Sequence, residues 1–426
     1  MTPLTNWAGN QNFHAATVHH PTTIAELQDL VAAEPRIRAL GTRHSFSAIA
    51  DTAGVLVALG ALDRNISVDP AGRTVSVSAG TRYGVLAAEL QAQGFALANM
   101  ASLPHVSVAG GTATGTHGSG DANGVLATSI AAIDLITADG SLRTIDRSHP
   151  DLPAVAVGLG AFGVVSRLTL DIEPSFLVRQ DVFVNAPWDA VLDRFDEVMA
   201  SAYSVSLMGS FAGPVITQLW QKTRLPVDDL ELVAGIVRQA KFGGTWYDDA
   251  HLPVDTALNP RAGIPGPWSE RLPHFRLDLP PSVGGDELQT EYFVSREHGV
   301  AALRMLRTLG EQIAPHLHAA EVRTVAADRL WLSPAFKRDC LSIGFTWRNH
   351  PAEVNALLPV IETALALFEP RPHWGKLWAM APDELAGRYP RSGDFAELVR
   401  RYDPTGKFQN PLLQGVLDVP APEAAE

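Results

Sequence analysis

Apolar residues recur along this chain with two periods, and the change from one to the other marks its elements. Arg36-Ile37-Arg38-Ala39-Leu40 alternates and predicts a strand. Residues 54–59, 66–68 and 74–79 read the same way, with an Asp69-Pro70-Ala71-Gly72 turn between the last two. Helical spacing takes over at two places. Thr23 and Glu26 stand at capping-box distance ahead of an apolar helical face, and residues 83–94 predict a helix that stops at Gly94. Residues 133–138, a turn at Asp139-Gly140 and residues 141–145 predict a hairpin. After Pro174 the pattern becomes mixed. Helices are predicted over 188–200, 296–313 and 354–368, strands over 204–209, 290–294, 320–325 and 341–347, and a loop-rich passage from 225 to 281. Segregated elements of this kind predict an α+β region inserted before the chain returns to the first one.

At 426 residues the chain exceeds the roughly 250–300 at which one hydrophobic core stops growing, so two domains are expected. The 46% hydrophobic content can fill both. A formal net charge of -13 without any basic cluster argues against a nucleic-acid partner. Residues 1–7 lack the charged start and apolar centre of a signal peptide, and charges interrupt the long apolar runs, as Asp134 does within 130–138. The expectation is a cytoplasmic protein with no membrane partner. Cys340, the single cysteine, cannot form an internal disulfide, and its strand-like neighbours Leu341 and Ile343 predict a buried, inert thiol. Residues 419–426, rich in Pro, Ala and Glu, predict a frayed tail.

The first predicted strand runs into Gly41-Thr42-Arg43-His44-Ser45-Phe46-Ser47, so the backbone leaves a sheet edge through glycine and presents a histidine among hydroxyls. From this pattern His44 suits a base or an anchor; a metal site lacks a partner cluster. Residues 102–120 are rich in glycine and hydroxyls, which makes poor core material but exposes backbone N–H groups that a pyrophosphate could meet. No Lys-Ser/Thr pair follows those glycines, which excludes a Walker loop. Gly158-Leu159-Gly160-Ala161-Phe162-Gly163 fits a dinucleotide fingerprint by letter, yet that motif needs a following helix, and residues 164–172 read as a strand. A tight turn is the better account, with an NAD-dependent dehydrogenase as a lesser alternative.

Period two puts Glu321 and Arg323 on one strand face, and likewise Ser342, Gly344 and Thr346. A solvated Glu–Arg pair contributes only about 0–1 kcal/mol. Buried, the pair must stay together, because stranding one charge costs roughly 3–5 kcal/mol. His373-Trp374-Gly375-Lys376 follows the breaker Pro370-Arg371-Pro372 and leads into a predicted apolar strand. Chemistry alone points to a redox enzyme or a sugar binder, catalytic or not.

Gly41-Thr42-Arg43-His44-Ser45-Phe46, residues 102–120 and Gly160-Ala161-Phe162-Gly163-Val164-Val165 together resemble the flavin-binding half of the vanillyl-alcohol-oxidase superfamily. Glu321-Val322-Arg323-Thr324-Val325-Ala326-Ala327-Asp328, Phe345-Thr346-Trp347, His373 to Lys376 and Asp403-Pro404-Thr405-Gly406-Lys407-Phe408 extend the likeness to its sugar-alcohol branch, nearest the bacterial alditol (xylitol) oxidases. The likeness runs almost end to end, with little to match over 225–258. It implies an α+β two-domain flavoenzyme: an FAD-binding domain over 1–174, a substrate cap over 175–372 and a C-terminal return to the FAD domain over 373–426.

The resemblance further implies FAD attached covalently through His44. Gly41, Thr42, Arg43, Ser45, Phe46, Ser102, Ser107, Gly110, Thr114, Gly115, Thr116, His117, Val164 and His373 would hold it. Ser102, Glu321, Arg323, Thr346 and Lys376 would bind a polyol, with Arg323, Lys376 and Glu321 catalytic and no metal. The implied reaction takes the terminal primary hydroxyl of alditols such as xylitol and sorbitol to the aldose, with O2 reduced to hydrogen peroxide, in a monomer whose partners are polyol and oxygen. An aldonolactone oxidase or dehydrogenase of the same fold is the alternative. Gly344 stands where the family often carries histidine, so a different substrate orientation or chain-length preference is expected.

Overall fold

The computed structural model describes residues 4–225, 242–247, 257–261 and 263–417. Part of the loop-rich passage and the tail 419–426 lie outside them. Near the N-terminus, strands Thr17–His19, Val55–Ala58 and Ile37–Leu40 form a parallel sheet. Helix Ile24–Ala33 buries Leu27 and Val31 against it, and both halves of the Thr23–Glu26 capping box are made. A five-stranded antiparallel sheet follows, in the order Ile66–Asp69, Thr74–Ser78, Val164–Asp171, Ile130–Ile136, Leu142–Asp146. The Asp69 carboxylate accepts the Ala71 and Gly72 N–H groups, which sets the predicted turn. Val164–Asp171 alternates buried and half-buried positions, so the glycines before it serve a strand and no dinucleotide-type helix follows. A Cβ on Gly163, at φ +150, would stand 2.4 Å from the Ile136 carbonyl oxygen.

The second region is built on one nine-stranded sheet. Its order is Thr245–Trp246, Leu177–Pro187, Val215–Leu225, Ser204–Gly209, Leu317–Val325, Cys340–Arg348, Glu287–Ser295, Arg371–Pro372, with Gly266–Pro267 also paired to Leu177–Pro187. Leu177–Pro187 and Val215–Leu225 carry no clear alternation: the first is buried at six successive positions from Val178 to Phe183, so both faces are covered and the period-two signal disappears. Predicted helix 188–200 divides into Trp188–Leu192 and Phe195–Met199, and 296–313 into Gly299–Thr308 and Gly310–Ile313 with a short 3-10 turn before them. Pro351–Leu365 forms as expected. The stretch Pro351–Phe368 is long and apolar enough to cross a membrane by length and composition alone. In the fold Val354, Leu358, Ile361 and Leu365 point into the core, and Glu362 accepts the Tyr292 hydroxyl at 2.8 Å.

Alternation gives this sheet two unlike faces. Tyr292, Val322 and Ile343 belong to the apolar core on the helix side. Glu291, Glu321, Arg323 and Gly344 line a cavity on the other side. Cys340 is buried, and desolvation pushes its thiol up to about 11.

The chain after 372 closes back on the N-terminal half. Phe408 joins the core of Leu27, Val31 and Ile37. Lys407 Nζ donates to the carbonyls of Val31, Ala32 and Ala138, satisfying the end of the first helix. Asn410 donates to the carbonyls of Ala48, Ile49 and Asp51. The strand predicted after Lys376 does not form. Leu377 makes one isolated parallel bridge to Thr290, beyond the two residues that Arg371–Pro372 pairs on that edge of Glu287–Ser295, before helix Pro382–Gly387.

Candidate active site

The loop after Ile37–Leu40 turns sharply at Arg43, whose φ of +62 lies in the left-handed region. Trp7 N–H donates to the Arg43 carbonyl at 2.7 Å and Arg43 Nη1 to the Thr5 carbonyl at 3.1 Å, and these contacts hold the turn. His44 is thereby set against the Trp7 ring, 5.3 Å between centroids, with Nδ1 3.0 Å from Thr42 Oγ1. The same Thr42 oxygen accepts the Ser107 N–H at 3.2 Å, tying this loop to the glycine-rich segment. Burial, with His105, Arg82 and Arg43 adding, lowers the His44 pKa to about 4. Its ring is neutral at ordinary pH and keeps a nucleophilic lone pair.

A cavity of about 650 Å³ runs from this loop to the polar face of the large sheet. Gly41 through Phe46, Ser102, Ser107, Gly110, Thr114, Thr116, His117 and His373 all line it. Gly115 and Val164 do not. Gly115 turns at φ +69 against Pro334, and the Val164 side chain lies in the core beside Ile136, while its neighbour Val165 lines the cavity. The segment read as a glycine-rich loop contains the short helix Val108–Ala113. A Cβ on Gly41 or Gly110 would stand 2.9 or 2.8 Å from Ser107 Oγ, so the two glycines leave room for the Ser107 hydroxyl between them.

Arg38, which the sequence pattern placed only on a strand, also lines the cavity. Its Nη atoms donate to the Ile49, Leu159 and Phe408 carbonyls, and its buried Nε makes no hydrogen bond among the described residues. A concavity with glycines and hydroxyls along one wall, a guanidinium N–H without a hydrogen bond and a neutral histidine fits FAD.

The polar face of the large sheet supplies the other wall. Gln218, Met208, Glu321, Gly344 and Glu291 are successive cross-strand partners and form one row. Ser206, Arg323, Ser342 and Phe293 form the next, and Ala319, Thr346 and Gln289 the one on the other side. Glu291, which sequence reasoning missed, is the hub. Its Oε1 accepts from His117 Nε2 at 3.0 Å, from Arg323 Nη2 at 2.8 Å and from Ser342 Oγ. Lys376 Nζ stands 3.9 Å from Glu291 Oε2 and donates to Gln289 Oε1. Ser102 Oγ accepts from Arg323 Nη1 at 3.2 Å.

Burial alone would raise the Glu291 pKa, but His117 and Arg323 outweigh it and hold it well below the usual carboxylate range. Desolvation lowers the Lys376 pKa, with Glu291 opposing. Arg323 is raised: burial works against it, and Glu321 and Glu291 more than compensate. The Glu321–Arg323 pair, 3.6 Å from Oε1 to Nε, joins a buried arginine to a half-buried carboxylate. A Cβ on Gly344 would meet nothing closer than 3.6 Å, so the floor between Glu291 and Glu321 is open. Two further groups lay beyond sequence reasoning: His274, 3.7 Å from Glu321, and Lys222, whose pKa burial brings to about 7. Among the described residues no group of three or more His, Cys, Asp and Glu is placed to hold a metal.

The buried histidines give the fold a pH dependence. His373 is lowered to about 3 and His274 well below 6.5, in both cases chiefly by burial. Unfolding lets both take up protons, so stability is present above 6.5 and lost as pH falls from there. The thermal midpoint should decline between about pH 6.5 and 4. A midpoint that stays level over that window would contradict it.

A family model described as an FAD binding domain matches residues 15–146, and one described as D-arabinono-1,4-lactone oxidase matches 286–416. The chain is 44% identical to an alditol oxidase of a Streptomyces species over 98% of this chain and 99% of that one. It is 29% identical to an L-gulono-1,4-lactone dehydrogenase of Mycobacterium tuberculosis over 98% and 100%. In structure it is similar to cholesterol oxidase from B. sterolicum, with a TM-score of 0.79 at 15% identity, covering 97% of this chain and 96% of that one. That last likeness speaks for the two-domain fold. On the end-to-end sequence identity and the FAD-binding segment, the chain belongs to the alditol oxidase family of the vanillyl-alcohol-oxidase superfamily.

Proposed function

We propose that this flavoprotein oxidises the terminal primary hydroxyl of alditols such as xylitol and sorbitol to the aldose, with O2 reduced to hydrogen peroxide, and that its FAD is bonded to His44. The observation that carries the reading is the gathering of Glu321, Arg323 and Lys376 in the same cavity as the His44 loop, in a chain 44% identical to an alditol oxidase. A cytoplasmic monomer without nucleic-acid or membrane partners belongs to the same proposal.

Bound FAD would supply the two-electron acceptor that takes hydride from carbon and is restored by O2. The residues do the rest. Arg323 brings a buried positive charge to the polyol oxygen, and half-buried Lys376 becomes a second one on taking a proton, which lowers the cost of negative charge there. Lys376, whose pKa desolvation lowers, can be neutral and take the hydroxyl proton on Nζ. Glu321 accepts from a neighbouring hydroxyl, and Ser102 and Thr346 can donate or accept. Gln289 and Glu291 hold Lys376 and Arg323 in place.

Neutral His44 suits bonding through a ring nitrogen. After acid precipitation the pellet should be yellow, and His44→Ala should give a colourless pellet with flavin in the supernatant. A colourless pellet from the unsubstituted protein sinks the covalent bond. Peroxide release with xylitol but not with an aldonolactone separates an alditol oxidase from the lactone-oxidising relatives.

A further inference from the structure

We propose that His274 is a substrate-contacting residue of this site, and that its Nε2 and Glu321 Oε1 read one polyol hydroxyl from two sides. The inference rests on the alditol reading above. His274 comes from outside both main sheets, yet its backbone is clamped. Its N–H donates to the Ser102 carbonyl at 3.0 Å, its carbonyl accepts the Asn259 N–H at 2.8 Å, and Phe275 N–H reaches the same Ser102 oxygen at 3.2 Å. The imidazole stands edge-on to Trp220, 4.8 Å between centroids, and is 8% exposed. Its position is therefore set by the fold.

Nε2 lies 3.7 Å from Glu321 Oε1, too far for a hydrogen bond, and the buried Oε1, 3.6 Å from Arg323 Nε, accepts no hydrogen bond among the described residues. An oxygen about 2.8 Å from each atom fits over that gap. The two groups ask different things of it. A carboxylate only accepts, whereas a neutral imidazole can donate from Nε2. Burial and the nearby charges of Lys222, Arg323 and Arg261 keep the ring neutral. A hydroxyl satisfies both at once, giving its proton to Glu321 and taking the His274 N–H. A lactone carbonyl or ring oxygen has no proton to give and would turn its lone pairs on the carboxylate. A methylene leaves the His274 N–H without an acceptor and Glu321 Oε1 without a hydrogen-bond donor, which costs more than the contact itself contributes. The pair thus selects chains that carry a hydroxyl beside the reacting one.

The test compares KM and kcat for xylitol and for alditols lacking one secondary hydroxyl, in the unsubstituted enzyme, His274→Phe and His274→Gln, with flavin content and absorbance as the folding control. Phenylalanine keeps the ring against Trp220 and removes the N–H. It should raise the xylitol KM by about 10–100-fold while moving at least one deoxy-alditol by less than about threefold, so that discrimination collapses. Glutamine keeps a donor and should restore part of it. Equal losses on xylitol and on every deoxy-alditol, or an unchanged xylitol KM, would overturn the contact. If His274→Phe loses its flavin, Glu321→Gln and His274→Gln serve instead, and unchanged discrimination in both overturns it equally. Absence of xylitol turnover by the unsubstituted enzyme is a separate result: it overturns the alditol reading, and this contact falls with it.

Discussion

Glu291→Ala should destabilise the protein by about 3–5 kcal/mol and remove most of its turnover. The side chain is 2% exposed and is the shared acceptor for His117, Arg323 and Ser342. Deleting it strands the Arg323 guanidinium in a site where the remaining carboxylate, Glu321, lies 3.6 Å from Nε. Removing one partner of a buried ion pair costs far more than the pair contributes, because the other charge stays desolvated. Lys376 also loses the negative charge 3.9 Å away, so its ammonium form is less favoured and its position is held by Gln289 alone. Glu291→Gln preserves the shape and one acceptor oxygen, and should keep more stability than alanine while still losing activity. Thermal or urea unfolding together with kcat/KM checks both. An alanine variant as stable and active as the parent would remove Glu291 from the centre of the site.

Lys376→Ala should slow anaerobic flavin reduction by xylitol by about 10²–10³-fold, the size of effect seen when one preorganised electrostatic group is lost at the reacting atoms. Its apparent polyol affinity should change far less, because Arg323, Glu321, Ser102 and Thr346 still line the cavity. The pH profile distinguishes the two roles of the lysine. Desolvation lowers its pKa, so a neutral amine forms below the ordinary 10.5, and a base of this kind makes the rate rise with pH through that lowered value. The alanine variant should lose this ascending limb. Lys376→Arg should not restore it, since a guanidinium cannot give up its proton in the accessible range. Reduction at the parental rate in Lys376→Ala would exclude the lysine from the chemistry.

Much of this site could be anticipated from short-range pattern. The exit from an alternating strand through Gly41 was enough to single out His44, and period two was enough to put Glu321 beside Arg323. The capping box at Thr23, the hairpin at Asp139-Gly140 and the strand after Gly163 are likewise local, since hydrogen bonds within a few residues specify them. Gln289 and Glu291 carry the same signal, alternating with Leu288, Thr290 and Tyr292, and close attention to that period would have placed them on one face. Alternation could not say that this face meets the cavity. It was silent for Leu177–Pro187, where both faces are covered.

The remaining assignments needed contacts between distant parts of the chain. Arg38 is fixed by the carbonyl of Phe408, 370 residues on, and Arg323 by Ser102, 221 residues away. His274 enters the site because its backbone is pinned to Ser102, which no sequence spacing foretells. Many element types and the exposed position of His44 come from local periodicity and turn chemistry, while the flavin-binding fold and the anchoring role of His44 are what the resemblance implies. Which charges are buried, and with which partners, comes from packing alone, because desolvation and pairing depend on every segment that closes around a group.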